Sequence, residues 1–189
     1  ASSASPNGAQ IAYEDVVQLF GRSQRIFCPM ISGGGARELF EQDPALKNDP
    51  RFKLYPGWIQ RQVAAQPVMS QAGGGGDPRG GSGKMVLDIM KAGGLVVAGT
   101  DTPNGINLHG ELMAYRMAGM APFDILKTAT VNPAKALGLD AGTVEAGKLA
   151  DLIMIDGDPL ANIADTTKVR KVMANGRVYD AAQLAAGRQ

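Results

Sequence analysis

The stretch LVVAGTDTPNGINLHGE (residues 95–111) decides the fold prediction, because an apolar run ends there on a carboxylate. A nearly continuous apolar run is typical of a strand that is buried on both faces of a parallel sheet. In parallel α/β folds, functional side chains lie at the carboxyl ends of strands, in the loops that lead to the next helix. Asp101 occupies such a position, and Asn104 and His109 follow it. The stretch therefore predicts a strand over 95–101 whose end carries a functional group.

Each polar residue of this stretch also has a plain structural interpretation. An aspartate at a strand end is often only a turn or helix cap. The sequence predicts a helix over 109–120, so His109 can be an ordinary polar residue at a helix start, and Glu111 a charge in the first turn, where the helix dipole favours an anion. The residues alone leave both interpretations open.

The surrounding pattern predicts an α/β fold. KMVLDIMKAGG (84–94) predicts a helix that stops at two glycines before the strand, which is the second half of a βαβ unit. Periodicity and turn residues predict the remaining elements: helices over 10–25, 36–48 and 56–70, a short buried strand over 25–32, and a helix that opens at Pro122 and is interrupted at Asn132-Pro133.

The pattern changes at about residue 141. A short strand is predicted over 150–155, and two alternating arms flank Asn175-Gly176 within 169–180. Asn-Gly between such arms strongly indicates a β-hairpin, because both central residues need positive φ. We therefore divide the chain into residues 1–140, with the αβ pattern, and residues 141–189, with antiparallel β structure and a tail.

Composition excludes several function classes. The 19 basic and 18 acidic residues give a net charge of +1, and aromatic residues make up only 5%, which argues against a nucleic-acid surface. No apolar run approaches the roughly 20 residues that span a bilayer, so no membrane is expected as a partner. Cys28 is the chain's single cysteine, and its apolar neighbours predict a buried, inert thiol.

Glycine is concentrated in GGGGDPRGGSG (73–83), which predicts a mobile loop because ordered glycine loses the most backbone entropy. The neighbouring GGSGKM (80–85) resembles a phosphate-binding loop. That motif, however, requires glycine where Pro78 lies and a hydroxyl residue where Met85 lies. Nucleotide binding is therefore not predicted.

Several longer segments resemble a known family. GTDTPNG (99–105) and the segments over 108–139, 142–163 and 169–180 are similar to the carboxyl-terminal part of metal-dependent amidohydrolases. The similarity lies with the imidazolonepropionase and Xaa-Pro-dipeptidase-like branch, close to amidohydrolases that follow a TolB-like propeller. The most specific signature is Glu-x-Gly-Lys-x-Ala-Asp at 145–151. The resemblance implies the last strands and helices of a (β/α)8 TIM barrel, followed by a small antiparallel β-sandwich segment.

The resemblance also implies roles for the residues of the opening stretch. Asp101 would end the eighth barrel strand, bind a divalent metal, with zinc expected, and move a proton from the metal-bound water to the leaving group. A cation that acidifies its water, beside a carboxylate base, suits such chemistry. Asn104 and His109 would orient a small-molecule or peptide-like substrate. The implied reaction is hydrolysis of an amide or cyclic amide C–N bond.

The chain departs from the family in two respects. A catalytic zinc site needs three protein ligands, whereas the sequence contains one histidine, so the metal site is expected to be incomplete. A complete barrel takes about 250 residues. We therefore expect a fragment, one half of a two-chain enzyme, or a truncated descendant.

Alternatives and partners follow from this departure. The chain could instead be a non-catalytic fragment or assembly module that completes another chain, or a truncated oligomeric hydrolase or esterase without the full metal set. Open sheet edges predict a homo-oligomer or pairing with a missing amino-terminal half. The propeller-linked relatives suggest a periplasmic or secreted protein, although no residue here shows export.

Overall fold

The computed structural model describes residues 14–33, 35–65 and 78–187. Short helices surround a two-stranded parallel sheet, and a three-stranded antiparallel sheet follows. The α-helices are α1 (Glu14–Ser23), α2 (Arg37–Gln42), α3 (Gly57–Ala65), α4 (Gly81–Lys91), α5 (Gly105–Met117), α6 (Pro122–Thr128), α7 (Val131–Leu137) and α8 (Ala181–Ala186). The strands are β1 (Ile26–Phe27), β2 (Leu95–Val96), β3 (Leu152–Ile155), β4 (Val169–Ala174) and β5 (Arg177–Asp180), and the 3₁₀ turns are η1 (Pro44–Asn48), η2 (Pro50–Leu54) and η3 (Ile163–Thr167).

The two parallel strands lie where they were predicted but are much shorter. Ile26 pairs with Leu95, and Phe27 pairs with Val96. The predicted lengths of 25–32 and 95–101 were wrong, because the backbone finds other partners beyond these pairs. The amide of Ala98 donates to the carbonyl of Thr128 at the end of α6 (2.9 Å).

Helix α4 begins inside the glycine-rich stretch. Gly81 and Gly83 are helical, so the prediction of a mobile loop over 73–83 was wrong for its carboxyl-terminal part. Residues 73–77 lie outside the described residues. Gly83 is required by packing, since a Cβ there would overlap the carbonyl of Pro78 and lie 2.8 Å from the Cβ of Ala118. The glycines therefore bring α4 close to its neighbours.

Helix α5 starts four residues before its predicted start at residue 109. Asn104 is extended (φ −95°, ψ 115°), and the helix begins at Gly105. His109 and Glu111 consequently lie in the second turn, so their interpretation as residues of the first turn is wrong.

Other helix boundaries moved for local reasons. The predicted helix over 36–48 ends at Gln42, because Asp43-Pro44 starts a 3₁₀ turn in which the Asp43 carboxylate accepts from the amide of Ala45 (3.1 Å). The helix opened by Pro122 breaks at 129–130 rather than at Asn132-Pro133. Pro133 is tolerated as the third residue of α7, since first-turn amides need no intrahelical acceptor. The predicted helices over 10–25 and 56–70 are confirmed within the described residues as α1 and α3.

The carboxyl-terminal sheet confirms the hairpin prediction. Strands β3, β4 and β5 are antiparallel in that order, with Leu152 opposite Met173 and Val172 opposite Tyr179. Asn175 and Gly176 both adopt positive φ, of 49° and 75°, as a type I′ turn demands.

The hydrophobic core lies between the helices and β2. Fully buried side chains come from α2, α4, α5 and α6: Leu39, Phe40, Val86, Ile89, Tyr115 and Ile125. Burying one large apolar side chain stabilises the fold by about 1.5–3 kcal/mol, so this cluster anchors α5 beside the strands. None of the described helices combines the length and the apolar character that crossing a membrane requires.

Candidate active site

Asp101 lies in the loop just after β2. Its side chain is exposed, and its φ of +51° falls in the left-handed region that aspartate tolerates better than most residues. No residue in the described ranges donates a hydrogen bond to its carboxylate or forms an ion pair with it. The loop beyond it is held by Thr100, whose Oγ1 donates to the carbonyl of Thr102 (3.1 Å). The carboxylate is therefore exposed in the loop that follows a parallel strand, without a partner in the described ranges.

Asn104 lies in the same loop but is turned inward. Its side chain is 2% exposed, and its Nδ2 donates to Gln62 Oε1 (3.3 Å). Its Oδ1 is buried without a hydrogen-bond partner in the described part of the chain. The amide thus attaches the start of α5 to α3 and leaves one buried acceptor unused.

Cys28 lies at the carboxyl end of β1, beside the end of β2. The prediction that this thiol is buried was wrong, because Cys28 is exposed. It contacts the strand end closely, since a Cβ on Gly99 would overlap Sγ. Partial burial and the negative charge of Glu111 raise the pKa of the thiol, so it stays protonated at neutral pH and is a weak nucleophile.

Glu111 is a functional candidate that the sequence did not indicate. Its carboxylate is fully buried, and its two oxygens accept from the amides of Ile31 and Ser32, each at 2.8 Å. Helix α5 is thereby fixed to the loop that follows β1, next to the loop that carries Asp101. Burial, together with the charge of Glu111, raises the pKa of Tyr115 on the same helix.

His109 lies on a different side of α5 from Glu111. Its Nδ1 lies 3.0 Å from Thr166 Oγ1 in η3. Burial, aided by the positive charge of Arg51, lowers the pKa of His109 from 6.5 to about 4, so the imidazole is neutral at pH 7. His109 lines a cavity whose walls include neither Asp101 nor Asn104. The structure therefore does not bring the three predicted site residues into one cavity.

Arg51 closes the same cavity and connects two parts of the chain. Its Nε donates to Asp49 (2.9 Å), and its Nη1 donates to the carbonyls of Thr167 (2.7 Å) and Val169 (3.2 Å). Although burial opposes both shifts, these hydrogen bonds lower the pKa of Asp49 and raise that of Arg51. The pair stays charged and fixes η2 to the segment that leads into β4.

A complete metal site is not found in the described ranges. They contain no group of three or more His, Cys, Asp or Glu side chains placed to hold one ion. Asp101 is thus a single candidate ligand, and the residues present do not fit a bound metal on their own.

Sequence comparisons place these features in a known context. A profile described as the amidohydrolase family matches residues 83–179, just over half of the chain. A 5-methylthioadenosine/S-adenosylhomocysteine deaminase of Natronomonas pharaonis is 40% identical over 85 residues, covering 39% of this chain and 20% of the deaminase. An imidazolonepropionase of Thermoplasma volcanium is 39% identical over 74 residues, covering 36% of this chain and 18% of that protein. The chain thus spans about a fifth of the length of these curated relatives.

Solved structures share the fold over most of the chain. A Xaa-Pro dipeptidase with methionine bound in its active site superposes with a TM-score of 0.60 at 23% identity, over 89% of this chain and 37% of that one. A molinate hydrolase superposes with a TM-score of 0.57 at 20% identity, over 92% of this chain and 36% of that one. The superpositions agree with the family match, which includes β2, the Asp101 loop and the hairpin: this chain belongs to the amidohydrolase family.

Proposed function

We propose that this chain supplies the reacting carboxylate of a hydrolase that cleaves amide or cyclic amide C–N bonds. The observation that carries the proposal is Asp101, an exposed carboxylate without a described partner at the carboxyl end of a parallel strand, within the family match. Such a carboxylate accepts a proton from the attacking water and returns it to the leaving nitrogen. Asn104 and Glu111 support it by fixing the loops around the strand ends.

The fold supports a more specific placement. We assign β1 and β2 to the last strands of a (β/α)8 barrel within residues 1–140, and the sheet β3–β5 to a β-sandwich segment within 141–189. Adjacent parallel strands with helices between them are the local unit of such a barrel.

Metal chemistry is proposed at family level. Members of this family generally use a divalent metal, and zinc is the ion we propose, with Asp101 as the ligand that this chain would contribute. Since the described residues do not form a metal site, the other ligands would have to come from elsewhere, and no reaction step is assigned to the metal.

The substrate class follows from the relatives. A deaminase, an imidazolonepropionase and a Xaa-Pro dipeptidase are among the proteins that this chain resembles. We propose a small-molecule or peptide-like substrate with a C–N bond, oriented by groups near Asp101. His109 lines a different cavity, so its role as a substrate ligand has no geometric support from the described residues.

A second candidate function rests on exposed apolar surface. Large apolar side chains of α7, β3 and the segment between them are exposed along one shared groove: Leu137 (71%), Leu139 (49%), Val144 (85%) and Ile153 (58%). Apolar surface of this kind is typical of an interaction site. We propose that this face pairs with a missing amino-terminal half or with another copy of the chain. On this view the chain can act as an assembly module without catalysis of its own, or as an oligomeric hydrolase or esterase that works without the full metal set.

One experiment separates these functions. The 189-residue chain and its Asp101→Asn variant are assayed against an N-acyl amino acid, a cyclic amide, an ester and a Xaa-Pro dipeptide, with and without added Zn²⁺. We expect Asp101→Asn to lower kcat/KM about a hundred- to ten-thousandfold.

Asp124→Asn is the matched control, because Asp124 lies on α6 in a surface ion pair with Lys127 (2.6 Å). Wild-type activity that survives Asp101→Asn would contradict the proposed role of Asp101. Activity independent of Zn²⁺ would favour the metal-free hydrolase, and inactivity under every condition would favour the assembly module.

A further inference from the structure

The cavity that His109 lines lies outside the Asp101 loop. We propose that it is a second binding site, for a small aromatic molecule that carries one O–H or N–H donor. The cavity has a volume of about 200 Å³, is lined by η1, η2, the start of α5 and the segment that enters β4, and is open to solvent on one side. The proposal does not depend on the function assigned to Asp101.

The size and the walls of the cavity select an aromatic ring. A cavity of about 150 Å³ lined by apolar side chains is known to hold benzene. Most of this lining is apolar, and it includes two roughly parallel aromatic rings, Phe52 and Tyr55, whose centroids are 6.1 Å apart. Leu46, Leu54 and Ile106 contribute aliphatic walls. A single aromatic ring therefore fits this space.

We assign the tautomer of His109 from the hydrogen bonds around Thr166, since either ring nitrogen of a neutral imidazole can carry the proton. The hydroxyl of Thr166 donates its proton to the carbonyl of Ile163 (2.8 Å), so its oxygen accepts from Nδ1 of His109. A neutral imidazole with its proton on Nδ1 has an unprotonated Nε2. Nε2 has no hydrogen-bond partner among the described residues. It is also not one of the fully buried polar atoms that lack a partner, so a ligand can reach it. The cavity therefore offers a ligand a neutral acceptor on His109, in addition to the hydroxyl of Tyr55 in its lining.

The charged groups of the cavity do not compete for this role. Arg51 and Asp49 pair with each other, and Arg51 also donates to two backbone carbonyls. A charged ligand would have to disrupt this pair. A neutral ring with one donor satisfies Nε2 and leaves the pair intact.

The single histidine of the chain makes the test direct. The proton NMR signal of the His109 ring is recorded at pH 7 while the 189-residue chain is titrated with phenol, and separately with toluene, which has a similar size but no donor. We expect a saturable shift with phenol and about five- to tenfold weaker binding of toluene, as expected for one hydrogen bond. No saturable shift with phenol, or equal affinity for both rings, would overturn the proposal.

Two variants sharpen the test. His109→Phe should remove the preference for phenol over toluene, as measured by ligand-observed NMR. Asp101→Asn should leave it unchanged, since Asp101 does not line the cavity. A preference that survives His109→Phe would also overturn the proposal. The wild-type comparison remains decisive if His109→Phe fails to fold.

Discussion

His109 and Glu111, two residues apart on helix α5, serve different parts of the molecule. Glu111 accepts from the loop that follows β1, beside the strand ends, whereas His109 contacts η3 and the cavity in front of it. Residues two apart on a helix do not share a face, so a stretch that looks like one site in sequence becomes two in space. One side of α5 is held to the loop that follows β1, and the other side contacts η3 and lines the cavity beside it.

Replacing Glu111 tests the strand-end side and should have the largest effect on stability. Glu111→Ala leaves the buried amide of Ile31 and the partly buried amide of Ser32 without their acceptor, so we expect a loss of about 3 kcal/mol or more in the free energy of unfolding. Urea denaturation followed by circular dichroism measures it. Glu111→Gln keeps one acceptor oxygen and should lose less. Equal stability of the three proteins would show that these contacts do not support the strand ends.

Lowering the pH tests the opposite side of α5. Because the pKa of His109 is about 4 in the folded chain and near 6.5 when unfolded, the unfolded chain binds more protons between these values. The contribution of His109 to stability should therefore be constant above pH 7 and fall by up to about 3 kcal/mol as the pH drops from 6.5 to 4.

Urea denaturation at a series of pH values measures this slope. His109→Gln, which removes the titrating group, should flatten the curve over the same interval. Asp49 contributes chiefly below it, because its pKa is lowered from an already acidic value. A slope unchanged in His109→Gln would refute the buried neutral imidazole.

Gly110, between His109 and Glu111, tests how closely α5 approaches the loop after β1. A Cβ there would overlap the carbonyl of Gly35 and lie 2.6 Å from the Cα of Ala36. We expect Gly110→Ala to cost about 2 kcal/mol in thermal or urea unfolding, because backbone must move. Gly57→Ala is the matched control, since its Cβ would meet only Arg61 Nη1 at 3.7 Å. A neutral Gly110→Ala would indicate looser packing.

The hairpin should give the smallest effect. Gly176 has φ +75° and open space around it, so Gly176→Ala should cost about 1 kcal/mol through backbone conformation alone. Asn175→Gly, at φ +49°, should be neutral in the same denaturation assay. If Gly176→Ala lowered the free energy of unfolding by more than this, contacts of the new methyl group, and not the positive φ of the turn, would account for the loss.

Local patterns predicted the elements well where a single residue type decides the backbone. Asn175-Gly176 predicted the hairpin, and the two glycines that follow α4 predicted the start of β2. Asp101 was predicted to end the strand over 95–101, whereas β2 ends at Val96 and Asp101 lies five residues further on, in the following loop. Strand length was not predictable, because Ala98 bonds to α6, which is distant in sequence.

The surroundings of the site residues depended on long-range contacts. No local signal places Glu111 against Ile31, 80 residues away, or His109 against Thr166. Because α5 begins four residues earlier than predicted, His109 and Glu111 lie in its second turn and not in its first. A buried carboxylate could have been suspected from its apolar neighbours, since Leu112, Met113 and Ala114 follow Glu111 in the sequence.

The separation of the two sides of α5 is tested most directly by an NMR pH titration of His109, in the wild type and in Asp101→Asn. We predict a midpoint of about 4 in both proteins, because burial and Arg51 set the pKa and Asp101 does not reach the ring. A midpoint near 6.5 would contradict the burial of the ring, and a midpoint that moves when Asp101 loses its charge would show that the two residues share one site.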